Sequence, residues 1–206
     1  MSSFVPLGVN ERFRDTALDP DKRYEEVYLT GLENSHYNFV LRDYSYFQFS
    51  CDVRDEYRFA YLPNPFLSPT AAGELGDLQD YVREGAMTLD EYLHRISELR
   101  GGQYPPPIRY ENSPRQYKEY VHPQSHLHIG HHGENRWPLN RELTVTAFTT
   151  MIAKHFYGRA WGADKHIDQL SGLNSLEATF AAEKALCRLV SVARFSADQR
   201  AQFFFS

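Results

Sequence analysis

The sequence is poor in cysteine and has no long apolar run. Cys51 and Cys187 are the only two cysteines in 206 residues. They lie too far apart for a CxxC motif, which argues against a disulfide framework or a zinc ribbon. No apolar run approaches the ~20 residues of a membrane-spanning helix, and the first residues contain no apolar signal-peptide core. We therefore expect a soluble, cytoplasmic protein that does not bind a membrane.

Several catalytic motifs are also missing. The chain contains no GxxxxGK[ST], GxGxxG, HExxH or GxSxG pattern. These absences argue against a P-loop nucleotidase, a dinucleotide-binding fold, a common zinc protease and a common serine hydrolase. Ser125 and His126 are adjacent, but neighbours in a strand face opposite ways, so they do not form a nucleophile–base pair.

The composition is that of a globular protein with an uneven charge distribution. Hydrophobic residues make up 42% and aromatic residues 15% of the chain, and the net charge is −5. We expect one domain over residues 1–206 with a well-formed core. Residues 100–141 nevertheless hold six Lys or Arg against three Glu. That basic segment suits an anionic ligand such as a phosphodiester, and chance fluctuation is the alternative.

Hydrophobic periodicity predicts an α+β fold, in which a small antiparallel sheet is packed by helices and the C-terminal region is helical. The sheet-containing core is expected over residues 36–141 and the helical region over 144–206. The predicted helices cover 20–30, 74–99 with a break near Gly85, 144–157 and 173–193. The predicted strands cover 36–50, 56–62, 108–111, 116–121 and 125–129, with a turn or short strand at 135–139.

Five of the nine histidines lie between residues 122 and 132. Side chains two residues apart share one face of a strand, so His126 and His128 should project together. Leu127 and Ile129 should then point into the core. His122 has the same parity, whereas His131 and His132 follow Gly130 and are expected in a solvated turn.

Three roles fit the histidine pair. The HxH spacing can chelate a divalent metal, with His122, His126 and His128 as ligands and zinc or manganese as the ion. The same pair can act as acid and base in phosphodiester cleavage. Alternatively, both imidazoles are structural groups that hold Tyr or carboxylate partners on a sheet face.

Neighbouring charged residues would complete an active site. Arg109 and Glu111 share one face of their strand, so Glu111 could add a carboxylate and Arg109 could bind phosphate. Arg136 could clamp a phosphate and stabilise the transition state, or else pair with Glu134 on the surface.

Three further residues are candidates for substrate contacts. Tyr110 and Trp137 could stack on a base, and core packing is the alternative. Asn64 could line the site, whereas its segment Tyr61-Leu-Pro-Asn-Pro-Phe66 otherwise forms a rigid corner. The C-terminal Phe203-Phe204-Phe205 should dock on the core or mark a partner surface.

A combination of motifs resembles an uncharacterised family of bacterial proteins. It comprises the Tyr61–Phe66 segment, Ile108-Arg109-Tyr110-Glu111, the run His122-Pro-Gln-Ser-His-Leu-His-Ile-Gly130, Arg136, and an aromatic helix ending at Tyr157 and Trp161, over roughly residues 37–161. An Arg-Tyr-Asp strand before a histidine-rich strand is also similar to toxins of bacterial toxin–antitoxin modules, although this chain has Arg-Tyr-Glu. The resemblance implies a prokaryotic or phage-conflict setting and a nuclease role.

The sequence therefore favours a phosphodiester-cleaving enzyme. We expect a ribonuclease or related nuclease of bacterial phage defence or of a toxin module, with the histidine strand as its active site. RNA or DNA, a protein encoded in the same operon and a second copy of the chain are the expected partners. The alternative is a non-catalytic binding or structural subunit of a multi-protein bacterial defence system.

Overall fold

The computed structural model describes residues 5–53, 56–66, 74, 77–78, 80–98, 104–131, 134–169 and 172–201. The strands are β1 Phe39–Val40, β2 Tyr46–Val53, β3 Glu56–Leu62, β4 Ile108–Asn112, β5 Ser125–Ile129, β6 Trp137–Pro138, β7 Arg141–Glu142 and β8 Arg188–Leu189. The helices are α1 Glu11–Leu18, α2 Tyr24–Glu33, α3 Leu89–Glu98, α4 Val145–Phe156, α5 Gly158–Ala163, α6 Ser175–Leu186 and α7 Ala197–Ala201.

These elements confirm the α+β prediction. Strands β1 to β6 form one sheet in the order β1-β2-β3-β4-β5-β6, and β7 and β8 form a second, two-stranded sheet. The β1–β2, β4–β5 and β5–β6 pairs are antiparallel. Among the described helices, none is long and apolar enough to cross a membrane.

The chain divides into two compact units, and β2 and β3 contribute residues to both. The first unit contains the described residues within 1–48, 61–107 and 130–132, and the second those within 49–60, 108–129 and 133–206. The single-domain expectation stays a prediction.

An aromatic core holds the first unit together. Helix α2 buries Tyr24 and Tyr28, and the Tyr28 ring lies 5.4 Å from Tyr46 and 6.0 Å from Phe66. The Tyr46 hydroxyl donates to the Tyr28 carbonyl oxygen at 3.0 Å, so this buried polar group is satisfied.

The second unit packs helix α4 against the sheet. The Phe59 ring lies 5.5 Å from Tyr110 and 5.9 Å from Phe148, and all three side chains are buried. Helix α4 begins where predicted, because the Thr144 side chain accepts from the Ala147 amide. The strand predictions at 108–111 and 125–129 are also confirmed.

The predicted N-terminal helix was misplaced. Asp19 caps the C-terminus of α1, and α2 starts only at Tyr24, where the Glu26 carboxylate accepts from the Arg23 amide. Helix α2 also continues through Gly31, which was expected to end it. Here glycine serves close packing, because a Cβ atom at Gly31 would collide with the Tyr46 hydroxyl.

The break in the second predicted helix is confirmed for the described part of 74–99. Residues 80–83 are helical, and the chain turns at Gly85, whose φ is +73°. Thr88 and Glu91 then form the predicted capping box before α3.

Other predicted boundaries were wrong. The expected strand at 36–50 is interrupted by a turn between β1 and β2, and β2 runs on to Val53. Residues 116–121 do not form a strand, because β4 pairs directly with β5. Helix α6 begins at the predicted Asn174 cap but ends at Leu186, where the chain turns into β8. Phe203 to Phe205 lie outside the described residues.

Candidate functional site

The antiparallel pairing of β4 with β5 places the charged side chains of one strand beside the histidines of the other. Arg109 lies opposite His128, and Glu111 lies opposite His126. Side chains of directly opposed residues project on the same face of a sheet. The alternation of side chains along each strand had already grouped Arg109 with Glu111 and His126 with His128. The strand register places these two groups side by side.

The histidine face of β5 is buried, contrary to expectation. His126 is completely buried and His128 is 5% exposed, whereas Ile129, predicted to point into the core, is 37% exposed. Parity correctly separated the two faces of the strand. The opposite face is covered too, because Ser125 and Tyr110 are buried there. Alternation could not show that both faces are packed, because burial depends on the elements that lie against each side.

Three ligand atoms converge on this face. The candidate ligand atoms of Glu111, His126 and His128 all lie within 4.8 Å of one another. Nε2 of His126 is 3.1 Å from Nε2 of His128 and 3.8 Å from Oε2 of Glu111. Two nitrogens bound to one tetrahedral zinc would lie about 3.3 Å apart, so the histidine spacing fits such an ion.

A hydrogen bond and burial fix the tautomer and the neutral state of the His126 ring. Its Nδ1 lies 2.8 Å from the carbonyl oxygen of Pro123, which can only accept, so Nδ1 carries the proton. Burial lowers the pKa of His126 to about 4, against the opposing effect of the Glu111 carboxylate. The imidazole is therefore neutral at pH 7, with the Nε2 lone pair facing His128. In metal-binding histidines, the ring nitrogen that does not bind the metal typically donates its proton to a carbonyl or carboxylate oxygen, as Nδ1 does here.

Two arginines hold the Glu111 carboxylate. Nε of Arg58 and Nε of Arg109 both donate to Oε1 of Glu111, at 3.0 and 2.9 Å. Burial raises the pKa of Glu111, but the charges of Arg58 and Arg109 outweigh burial and bring the pKa below its usual value. The carboxylate is thus ionised at neutral pH, and Oε2 faces His126.

Arg58 is a site residue that sequence reasoning missed. A signal was present, because Arg58 alternates with Tyr57 and Phe59, whose rings lie 6.1 and 5.5 Å from Tyr110 on the other face of the sheet. Alternation therefore places Arg58 on the face of Glu111. Only the neighbouring positions of β3 and β4 show that the two side chains meet.

His122 and Arg136 flank the three-residue cluster. The His122 ring packs edge-on against His126 with a centroid distance of 4.9 Å. It was predicted as a metal ligand, but the described cluster contains only Glu111, His126 and His128. Arg136 directly precedes Trp137, the partner of Leu127, and its charge lowers the pKa of His122 and of Arg109, in both cases after the larger effect of burial. Arg136 donates to the backbone oxygen of Glu134 at 3.2 Å rather than to its carboxylate.

The predicted substrate-contacting residues lie elsewhere. Tyr110 is fully buried on the opposite face, where its hydroxyl bonds Ser125 and accepts from the Leu143 amide. Trp137 is 50% exposed rather than part of the core. Asn64 belongs to the first unit, where it donates to Asp43 and accepts from the Phe66 amide, as a rigid corner requires.

His131 also differs from expectation. Its ring is half-buried in the first unit rather than solvated, with Nε2 2.9 Å from the Lys22 carbonyl oxygen. The described ring contact is with Tyr24, at 5.8 Å. His132 lies outside the described residues.

Comparison with protein families gives one match. An uncharacterized conserved protein family, DUF2290, matches residues 7–192. The chain belongs to this family. No curated protein and no solved structure matches the chain. Membership agrees with the resemblance to an uncharacterised family, and it assigns no activity to the cluster.

Proposed function

We propose that this family member is a metal-dependent enzyme that cleaves phosphodiesters. Glu111, His126 and His128 are proposed to hold one divalent cation, zinc or manganese. The observation that supports this most directly is the convergence of their three ligand atoms within 4.8 Å. Two histidines and one carboxylate form a ligand set that leaves coordination positions open for water and substrate.

The charges around the cluster suit a phosphodiester. When bound, a divalent ion there would act as a Lewis acid and lower the pKa of a water molecule. Arg109 uses its Nε for Glu111, which leaves its terminal nitrogens for a phosphate oxygen. Its side chain is 45% exposed, so a substrate can reach it. The nucleic-acid substrate and the phage-defence or toxin–antitoxin setting remain predictions from the sequence.

Complete burial of His126 favours a second candidate function. A buried imidazole that bonds both a backbone carbonyl and a second histidine is also what a structural network contains. In that case the chain is a non-catalytic subunit, and the cluster serves to stabilise β4 and β5. The two candidates differ in whether a metal binds.

Elemental analysis of the purified protein tests the proposal. We expect wild type to bind close to one zinc or manganese ion per chain. Glu111→Gln should weaken that binding by at least about tenfold, because it removes a charged ligand while keeping the side-chain shape. His155→Ala is the matched control, since His155 is exposed on α4 and should leave metal binding unchanged.

The same experiment separates the two candidates. If wild type binds no divalent ion, the metal-dependent proposal fails and the structural network is the better account. If Glu111→Gln binds metal as wild type does, the proposed ligand set is wrong. Thermal unfolding of each variant shows whether a loss of metal reflects a loss of fold.

A further inference from the structure

Two polar atoms beside the Glu111–His126–His128 cluster are buried without a hydrogen-bond partner among the described residues. They are Nδ1 of His122 and Nε of Arg136. An unsatisfied buried polar atom costs about 1–3 kcal/mol. Two such atoms in one neighbourhood therefore indicate a ligand that would satisfy them.

Both residues lie near the histidine strand. His122 contacts the ring of His126, and Arg136 directly precedes Trp137, which pairs with Leu127 of the histidine strand. Burial and then the Arg136 charge lower the pKa of His122, and Arg136 also lowers the pKa of Arg109, after the larger effect of burial. The three side chains are thus near enough to influence one another's charge.

The charge of this region favours an anion. Arg58, Arg109 and Arg136 are cationic, whereas Glu111 is a carboxylate paired with Arg58 and Arg109, and His126 is neutral. The described contact of the Arg136 guanidinium is a neutral backbone oxygen, so its charge is not offset there. Clustered cations with unsatisfied donors bind oxyanions, and guanidinium groups match phosphate best.

We infer that His122 and Arg136, together with the outer nitrogens of Arg109, form an oxyanion subsite that binds a phosphate group of the substrate. Nε of Arg136 donates to the phosphate, and His122 donates from Nδ1. The inference rests on the proposed function and adds a second part to its site, in which His122 contacts the anion instead of the metal. Because its donors are already in place, the subsite should bind phosphate without a metal.

Titration of inorganic phosphate into EDTA-treated protein tests the subsite. Isothermal calorimetry or phosphorus NMR at pH 7.5 should show saturable binding to wild type. Arg136→Gln should weaken it by at least about tenfold, which corresponds to the loss of one charge-assisted contact. Arg115→Gln is the matched control, because Arg115 is an exposed arginine of the same basic segment that pairs with Glu56. Its phosphate affinity should equal that of wild type.

A second variant guards against misfolding. Arg136→Lys keeps the positive charge, but its single ammonium group cannot bond both the phosphate and the Glu134 backbone oxygen as the guanidinium can. This variant should therefore also bind phosphate more weakly than wild type. The inference is overturned if wild type shows no saturable binding or if either Arg136 variant binds as wild type does. Metal analysis is a separate measurement. Metal without phosphate binding removes the subsite alone, whereas phosphate without metal binding removes the metal-dependent function alone.

Discussion

His126 should make the stability of the metal-free protein depend on pH between 7 and 5. The native imidazole is completely buried and its pKa is about 4, whereas the unfolded chain has an ordinary histidine with a pKa of 6.5. Between these values the unfolded state binds a proton that the native state does not. Stability is therefore highest above the unfolded pKa and falls as pH is lowered toward 4.

The size of the effect follows from the two pKa values. At pH 5 the solution is about 1.5 pH units below the pKa of the unfolded histidine. Each of these units lowers the free energy of unfolding by about 1.4 kcal/mol, so the total loss is about 2 kcal/mol. Glu111 adds little in this window. Its pKa is lowered, so its stabilising contribution persists above the pKa of an ordinary glutamate, about 4.3, and is lost only as pH falls further, through its native pKa.

Urea unfolding in the presence of EDTA, at pH 7 and pH 5, measures this contribution. The informative variant is His126→Asn, whose amide can still donate to the Pro123 carbonyl but does not titrate. We expect it to lose about 2 kcal/mol of the pH dependence seen in wild type. His155→Asn, at an exposed position, should keep that dependence. Equal pH dependence in wild type and His126→Asn would refute the argument that His126 is neutral in the fold.

Two further predictions concern packing. Tyr110→Phe should cost about 1–3 kcal/mol in urea unfolding, because it removes the buried Tyr110 hydroxyl and leaves the half-buried Leu143 amide without its acceptor. An equal loss in Tyr81→Phe, which is exposed, would contradict this. Gly31→Ala should lower the melting temperature, with a cost of about 1–3 kcal/mol, since the new methyl group meets the Tyr46 hydroxyl. Gly158→Ala, where a Cβ would meet nothing within 4 Å, is the control, and a Gly31→Ala protein as stable as wild type would rule out the close contact.

Elements with strong local signals could be predicted from the sequence. The Thr144 cap, the Asn174 cap and the Thr88–Glu91 capping box each rest on hydrogen bonds between residues two or three positions apart. Such interactions need no tertiary partner, so the chain itself specifies where these helices begin. The misread glycine at 31 shows the limit, because its reason is the distant Tyr46.

The candidate site was predictable only in pieces. Parity along β5 grouped His126 with His128, and parity along β4 grouped Arg109 with Glu111. The contact of Arg58 with Glu111 and the unpartnered state of His122 Nδ1 and Arg136 Nε among the described residues were not accessible, because they depend on which strands are neighbours and on which atoms burial leaves without partners.

The sequence by itself determined the α+β class, the starts of several helices and the faces of the two central strands, since these follow from local hydrogen bonds and from the alternation of side chains. The tertiary structure alone decided that β4 lies beside β5 in this register and that the histidine face is buried as well as the opposite face. It thereby set the tautomer of His126 and the environment of Glu111. Burial and strand pairing are properties of the assembled chain, because they depend on residues far apart in sequence.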